Sequence, residues 1–222
     1  MPDLYILMGA NGAGKSTTGA SYLPLHIQNK YEVFDGDKLY LQKAREFYKK
    51  LTPSPKEANR LALEWMMQEF ITRTKKALAE KDDFAYEGHL PDDDNWKTPK
   101  KFKRAGYRIH VIYLGLTDTA VSALRVFERA KYGGHNVPPY EIDRNFYGNL
   151  AQVNKRYKSI DELKIMDTSD SIPKALALFS NGIIENALHH GKLPEWFEKF
   201  LPALYNKIIR RDNDDFFGML EE

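Results

Sequence analysis

The sequence contains no cysteine. That absence excludes disulfides, thiolate nucleophiles and thiolate-held zinc, and leaves oxygen and nitrogen groups to carry any chemistry. It also fits a reducing compartment. No apolar run approaches the roughly 18 residues needed to cross a bilayer, and the opening Met1-Pro2-Asp3 lacks the basic start of a signal peptide. A cytoplasmic location with no membrane partner is therefore expected. An excess of one charge is missing too. The 33 lysines and arginines stand against 31 acids, for a formal net charge of +2 spread along the chain, so no sequence-wide electrostatic case for nucleic acid exists. Internal repeats and low-complexity segments are likewise missing. A chain of 222 residues is long enough for one α/β domain with a full core, and one domain over residues 1–222 is expected.

What is present begins at once. The apolar run Leu4-Tyr5-Ile6-Leu7-Met8 leads into Gly9-Ala10-Asn11-Gly12-Ala13-Gly14-Lys15-Ser16-Thr17. Glycines at this spacing let the backbone turn tightly and aim N–H groups inward, a lysine reaches the β- and γ-phosphates, and the serine hydroxyl ligates Mg²⁺. Gly9, Asn11, Gly12, Ala13, Gly14, Lys15, Ser16 and Thr17 are thus the candidate nucleotide-binding residues, with Ser16 the candidate metal ligand. The bland alternative, a glycine-rich turn between a strand and a helix, leaves Lys15 without a purpose.

Beyond the cradle the chain alternates. A helix is expected from Lys15 to about Tyr22, a strand over Tyr31–Asp35, a helix over 38–49, and a long helix from Ser54-Pro55-Lys56-Glu57 to about Lys81. Strands are expected over Asp83–Glu87, Arg108–Leu114 and Leu163–Asp167, with helices from Thr117 and Asp118 to Ala130 and from Ile142 to Tyr157. Further helices are expected over Pro173–Phe179 and Pro194–Ile209. Such alternation implies a parallel sheet covered on both faces, with ligands at the carboxyl ends of its strands.

Phosphoryl transfer needs held phosphates, neutralised charge and an acceptor hydroxyl placed in line with the γ-phosphate. Asp37, just past the second strand, is a candidate general base. Asp35 could serve instead or bind the acceptor, and turn chemistry or helix capping explains the pair equally well. Glu87 ends a strand expected beside the cradle and is a candidate for the metal's water or the acceptor, a surface loop acid being the alternative. An apolar run ending in the aspartate of a second nucleotide-binding motif is lacking. Arg125 and Arg129 share one helix face beside Gly133-Gly134, with Arg144 beyond, which suggests a mobile lid closing on phosphate; a solvated helix with an Arg125–Glu128 pair competes. The basic stretch Lys97–Arg104, the acids Asp92-Asp93-Asp94 and the pair His189-His190 read as surface features.

These motifs together resemble the zeta toxin and UDP-N-acetylglucosamine kinase family of P-loop kinases. The specific part is Arg125-Val126-Phe127-Glu128-Arg129, then Gly133-Gly134-His135-Asn136-Val137-Pro138 and Ile142-Asp143-Arg144, which look like that family's lid. Asp37 matches its acid after the second strand, Glu87-Gly88-His89-Leu90 stands in place of a Glu-Thr-Thr-Leu segment, and Asp167-Thr168-Ser169 resembles its strand end near the base. The likeness runs from about Leu4 to Gly182. It implies an α/β fold, a P-loop kinase-like three-layer sandwich with a central parallel sheet, a helical lid over about 117–150 and a helical C-terminal segment over about 170–222. It further implies ATP or GTP with Mg²⁺, Asp37 as base, Lys15, Arg129 and Arg144 at the transferring group, and Asp35, Glu87 and Arg125 at the acceptor. The implied acceptor is a small-molecule hydroxyl, foremost the sugar 3-hydroxyl of UDP-N-acetylglucosamine or a related nucleotide sugar, and an antitoxin is a possible partner. Gly88-His89, Asp35 and Asn145 depart from the pattern and bear on the acceptor. Two other readings remain: a polynucleotide 5′-hydroxyl kinase gripping phosphates with Lys97–Arg104, and a non-catalytic nucleotide-gated binding module.

Overall fold

A computed structural model describes residues 1–131 and 137–218. Its spine is β1 (Asp3–Gly9), every residue of which is buried, as befits a strand covered on both faces. On one side it pairs with β3 (Phe84–Gly88), which in turn pairs with the two-residue β2 (Phe34–Asp35); on the other it pairs with β4 (Arg108–Gly115), followed by β5 (Glu162–Asp167). All of these are parallel. Leu7 lies opposite both Glu87 and Ile112, so the register carries Glu87 to the level of the cradle. Two further strands, β6 (Lys174–Ser180) and β7 (Ile183–Ala187), extend the sheet antiparallel, giving the order β2-β3-β1-β4-β5-β6-β7.

The last two strands correct an expectation. Pro173–Phe179, expected as helix, lies largely in β6, and the central sheet is mixed rather than wholly parallel. The reason is local. Asn181 and Gly182 both adopt positive φ, 49° and 74°, the two-residue reversal whose twist suits a hairpin, and Ser180 pairs with Ile183 across it. Residues 170–222 are therefore part strand and part helix.

Helices surround this sheet. After β1, α1 (Lys15–Thr18) runs into a 3-10 turn at Gly19–Tyr22, and α2 (Leu25–Lys30) follows Pro24. The next pair, α3 (Gly36–Lys50) and α4 (Pro55–Glu80), folds back as a hairpin beside the β2 edge. Ser54 caps α4 by accepting from the Glu57 N–H, with Pro55 in the first turn where a missing N–H costs nothing. Then come α5 (Lys97–Arg104), α6 (Thr119–Lys131) and α7 (Pro139–Arg156), with Val126, Val137 and Ile142 packed between the last two. The single helix expected over Pro194–Ile209 is two, α8 (Glu195–Phe200) and α9 (Pro202–Gly218), because Pro202 has no N–H with which to continue the first. The expected lid corresponds to α6 and α7. Its Gly133-Gly134 hinge lies outside the described residues.

Candidate active site

At the carboxyl end of β1 the backbone turns through Gly12 at φ 74° and Gly14 at φ 86°, conformations open to glycine and strained for other residues. A Cβ on Gly12 would also lie 2.8 Å from that of Arg125. The Gly14 carbonyl then accepts from the N–H groups of Thr17, Thr18 and Gly19, which locks the cradle to the helix behind it. Neighbouring elements hold it from outside. Ser122 Oγ donates to the Asn11 carbonyl at 2.6 Å, and Asn145 Nδ2 donates to Asn11 Oδ1 at 3.0 Å.

The cradle opens on a cavity of about 320 Å³ lined by Lys15, Ser16, Asp37, Glu87, His89 and Arg129, among others. Sequence-distant candidates thus meet in one place. Lys15 Nζ donates to the carbonyls of Gly9 at 3.1 Å and Ala10 at 2.9 Å. Burial pushes the Lys15 ammonium down to about 8, although the carboxylates of Glu87 and Asp37 pull the other way. Asp37 sits in the first turn of α3, where the helix N-terminus favours its negative charge.

Asp35 has two occupations. It caps α3, with Oδ1 accepting from the Lys38 N–H at 2.9 Å, and it hydrogen-bonds to Glu87. Ser16 Oγ donates to Glu87 Oε1 at 2.5 Å. Burial raises Glu87 to about 8, helped by the adjoining Asp35 carboxylate; burial works against the charge of Asp35 as well, but its hydrogen bonds outweigh that and hold it below the usual range. Two carboxylates sharing a proton beside a serine hydroxyl form an all-oxygen donor set, the kind that a hard dication such as Mg²⁺ takes up in the proton's stead. A second cavity, of about 360 Å³, opens from the same Lys15, Ser16 and Glu87 and is lined further by Glu32, Asp35, Lys38, Gln42 and Arg73.

Arg125 lines the cradle cavity itself but has further partners, and Arg144 is engaged elsewhere. The Arg125 guanidinium, expected at the acceptor, donates to the carbonyls of Gly12, Thr168 and Ser169 at 3.3, 2.8 and 2.6 Å, tying the cradle to the exit of β5. Arg144, expected at the transferring phosphoryl group, pairs with Asp92 at 2.5 Å, away from both cavities. The neighbouring acid Asp93 gathers Gln152, Lys155 and Arg156, so this acidic run clamps α7 to the segment after β3 and is more than a solvated surface. Similarly, His190 meets the buried Asp212 at 2.9 Å, while Arg211 holds that same carboxylate and the Ala187 carbonyl, fastening α9 to the end of β7.

Sequence reasoning missed Asn149. This fully buried side chain accepts from the Leu90 N–H at 2.7 Å and donates to the Gly9 carbonyl at 3.1 Å, joining α7, β1 and the turn after β3. An asparagine inside a helix carries no local signal for such a role. His89, noted only as a departure from a pattern, lies beside Lys15.

A strand, glycine cradle and helix under a mostly parallel sheet, with acids at the neighbouring strand ends, define the P-loop kinase fold. The zeta toxin family model matches residues 1–173, and the chain belongs to that family. No curated protein sequence matches it. Among solved structures, the complex of AvrRxo1-ORF1 with AvrRxo1-ORF2 determined with sulphate ions superposes with a TM-score of 0.67 at 13% identity, over 90% of this chain and 64% of that one. The same complex with ATP gives 0.65 at 14% identity, again over 90% and 64%. The PezAT chromosomal toxin-antitoxin system of Streptococcus pneumoniae gives 0.56 at 16% identity, over 100% of this chain and 88% of that one. This chain thus spans less than two thirds of the AvrRxo1 chain's length.

Proposed function

We propose that the protein is a P-loop kinase that transfers the γ-phosphoryl group of ATP or GTP to a hydroxyl of a small acceptor. The observation that carries this is the single cavity lined by Lys15, Ser16, Asp37 and Arg129. The cradle would hold the phosphates and Lys15 would span the β- and γ-groups. Ser16, with Glu87 and Asp35 around it, would hold Mg²⁺, which when bound neutralises phosphate charge. Asp37, unlike Asp35, is not committed to capping α3, and it faces the phosphate cavity, so it is the better base for the acceptor hydroxyl. Arg129 would meet charge developing on the transferred group. Arg125 would shape the cradle, and Arg144 would join only if its pairing with Asp92 opened. The acceptor would occupy the adjoining cavity with Lys38, Gln42 and Arg73, and the family resemblance puts the sugar 3-hydroxyl of UDP-N-acetylglucosamine, or of a related nucleotide sugar, first.

The polynucleotide reading loses its grip. Arg104 ends a helix leading back to the start of β4, at the far end of the sheet, and Lys97 and Lys103 already pair with Asp94 and Asp161. An antitoxin partner is proposed because the PezAT neighbour is a toxin-antitoxin system. The test is incubation of the protein, Mg²⁺ and γ-labelled nucleotide with a metabolite extract, followed by mass spectrometry. One phosphorylated hydroxyl compound, absent with Asp37→Asn, is expected; nucleotide bound without any labelled product would favour the binding-module reading.

A further inference from the structure

Beyond β7 a short 3-10 turn, His190–Lys192, packs against α9 and brings two adjacent histidines to one carboxylate. His190 Nδ1 lies 2.9 Å and His189 Nε2 4.0 Å from the same oxygen, Oδ2 of Asp212, and the three donor atoms all fall within 4.8 Å of one another. The carboxylate is held in advance. Its side chain is only 4% exposed, its Oδ1 accepts from Arg211 Nε at 2.9 Å and from Nη2 of the same guanidinium, and its Oδ2 accepts from the His190 N–H at 2.7 Å. A carboxylate oxygen has about two lone pairs, so Oδ2 keeps one for whatever lies between it and the rings. Carboxylates that bind metal are commonly fixed in this way by hydrogen bonds from behind.

We propose that His189 Nε2, His190 Nδ1 and Asp212 Oδ2 form a site for one divalent transition-metal ion, zinc foremost, with water completing its shell. A tetrahedral ion about 2 Å from each donor keeps its donors about 3.4 Å apart, which lies between the two separations seen here. Closing the site needs only a swing of the exposed His189 ring. Each imidazole binds neutral through one nitrogen and keeps its proton on the other. At His190 that proton passes from Nδ1 to Nε2. At His189, whose Nδ1 accepts from the Gly191 N–H at 3.2 Å, it passes from Nε2 to Nδ1, and the Gly191 N–H turns to water, a small loss in so exposed a place. The Arg211 guanidinium opposes further positive charge, so the ion is held less tightly than in a four-ligand structural site. Two ring nitrogens select against Mg²⁺, which takes oxygen. Because β7 stands four strands from β1, about 19 Å at the usual strand spacing, the ion takes no part in phosphoryl transfer; it staples the turn after β7 to α9.

The experiment uses Zn²⁺ alone as the probe, titrated calorimetrically into the full chain, carrying no histidine tag and freed of metal with a chelator. One zinc per chain is expected. At zinc about 100-fold above its Kd the melting midpoint should rise by about 5 °C or more. His189→Ala, a change at an exposed side chain, should weaken zinc binding at least about 10-fold while the metal-free midpoint stays within about 2 °C of the parent's. His190→Ala should weaken it as well, and Co²⁺ in the parent should show the visible absorption of a nitrogen- and oxygen-ligated ion, lost in both variants. Excess Mg²⁺, which belongs to the oxygen donors of the cradle, should leave the zinc titration as it was. A parent that binds no zinc, a titration unchanged in the two histidine variants, or zinc displaced by Mg²⁺ would overturn the assignment.

Discussion

The two ends of the central strands treat charge in opposite ways. Where β1 and β4 begin, Asp3 accepts from Arg108 Nε at 2.6 Å and Nη2 at 2.8 Å, and His110 Nε2 lies 3.1 Å away with its ring stacked on Tyr5. Burial opposes ionisation of both Asp3 and His110, but their partners prevail, holding the carboxyl below and the imidazole above their ordinary values. At the opposite end of the sheet, where β2 and β3 end beside β1, Asp35 and Glu87 crowd together, Glu87 keeps a proton up to about 8, and Lys15 gives one up near 8. One end has its charges matched from within. The other gathers like charges that a cation and a polyphosphate would match from outside, and such crowding is how active sites displace pKa values.

Breaking the functional end should produce the largest effect. Asp37→Asn is expected to cut turnover by about 10²- to 10⁴-fold, the usual contribution of a positioned base, with thermal stability and nucleotide affinity nearly unchanged. Loss of nucleotide affinity in this variant would move Asp37 from base to binding residue. At the opposite end Asp3→Ala should destabilise by about 1–3 kcal/mol in urea unfolding, since His110 and the Asp3-facing arm of Arg108 lose their acceptor, while nucleotide affinity stays as it was. A change in affinity would mean that the two ends are coupled.

The pH dependence sharpens the contrast. Glu87 is raised in the fold, so ligand-free stability should decline as pH climbs from about 4.5 to about 8, and Glu87→Gln should flatten that part of the profile. Asp3 is depressed, so its contribution is present above the ordinary carboxylate value and is lost as pH falls through its folded one. His110 is raised by its partners, so its share is complete below 6.5 and fades as pH rises past its folded value. A Glu87→Gln profile parallel to the parent's would sink the first of these. The smallest effect belongs to Arg60→Ala on exposed α4, whose pairs with Glu57 and Glu64 lie in solvent; its melting midpoint should match the parent's.

Much of the site was legible because its parts are local. Gly12, Gly14, Lys15 and Ser16 carry their geometry in consecutive residues, and Glu87 and Asp37 are placed by the ends of short recognisable elements. Arg144 was not legible. Its identity says cation, but only the packing of α7 against the segment after β3 says that Asp92 claims it. The same holds for Arg125, whose three carbonyl partners come from two separate loops. The β6–β7 hairpin was readable from Asn181-Gly182, and the turn outweighed the helical reading of Pro173–Phe179.

By itself, then, the amino-acid order determined a phosphate cradle after a buried strand, because backbone turns and caps are set by residues a few positions apart. The tertiary structure alone decided that Asn149 from α7 and His89 from the turn after β3 would converge on Gly9 and Lys15. Those meetings depend on how helices pack over a sheet, and neither side chain has a near neighbour in sequence that could have announced its partner.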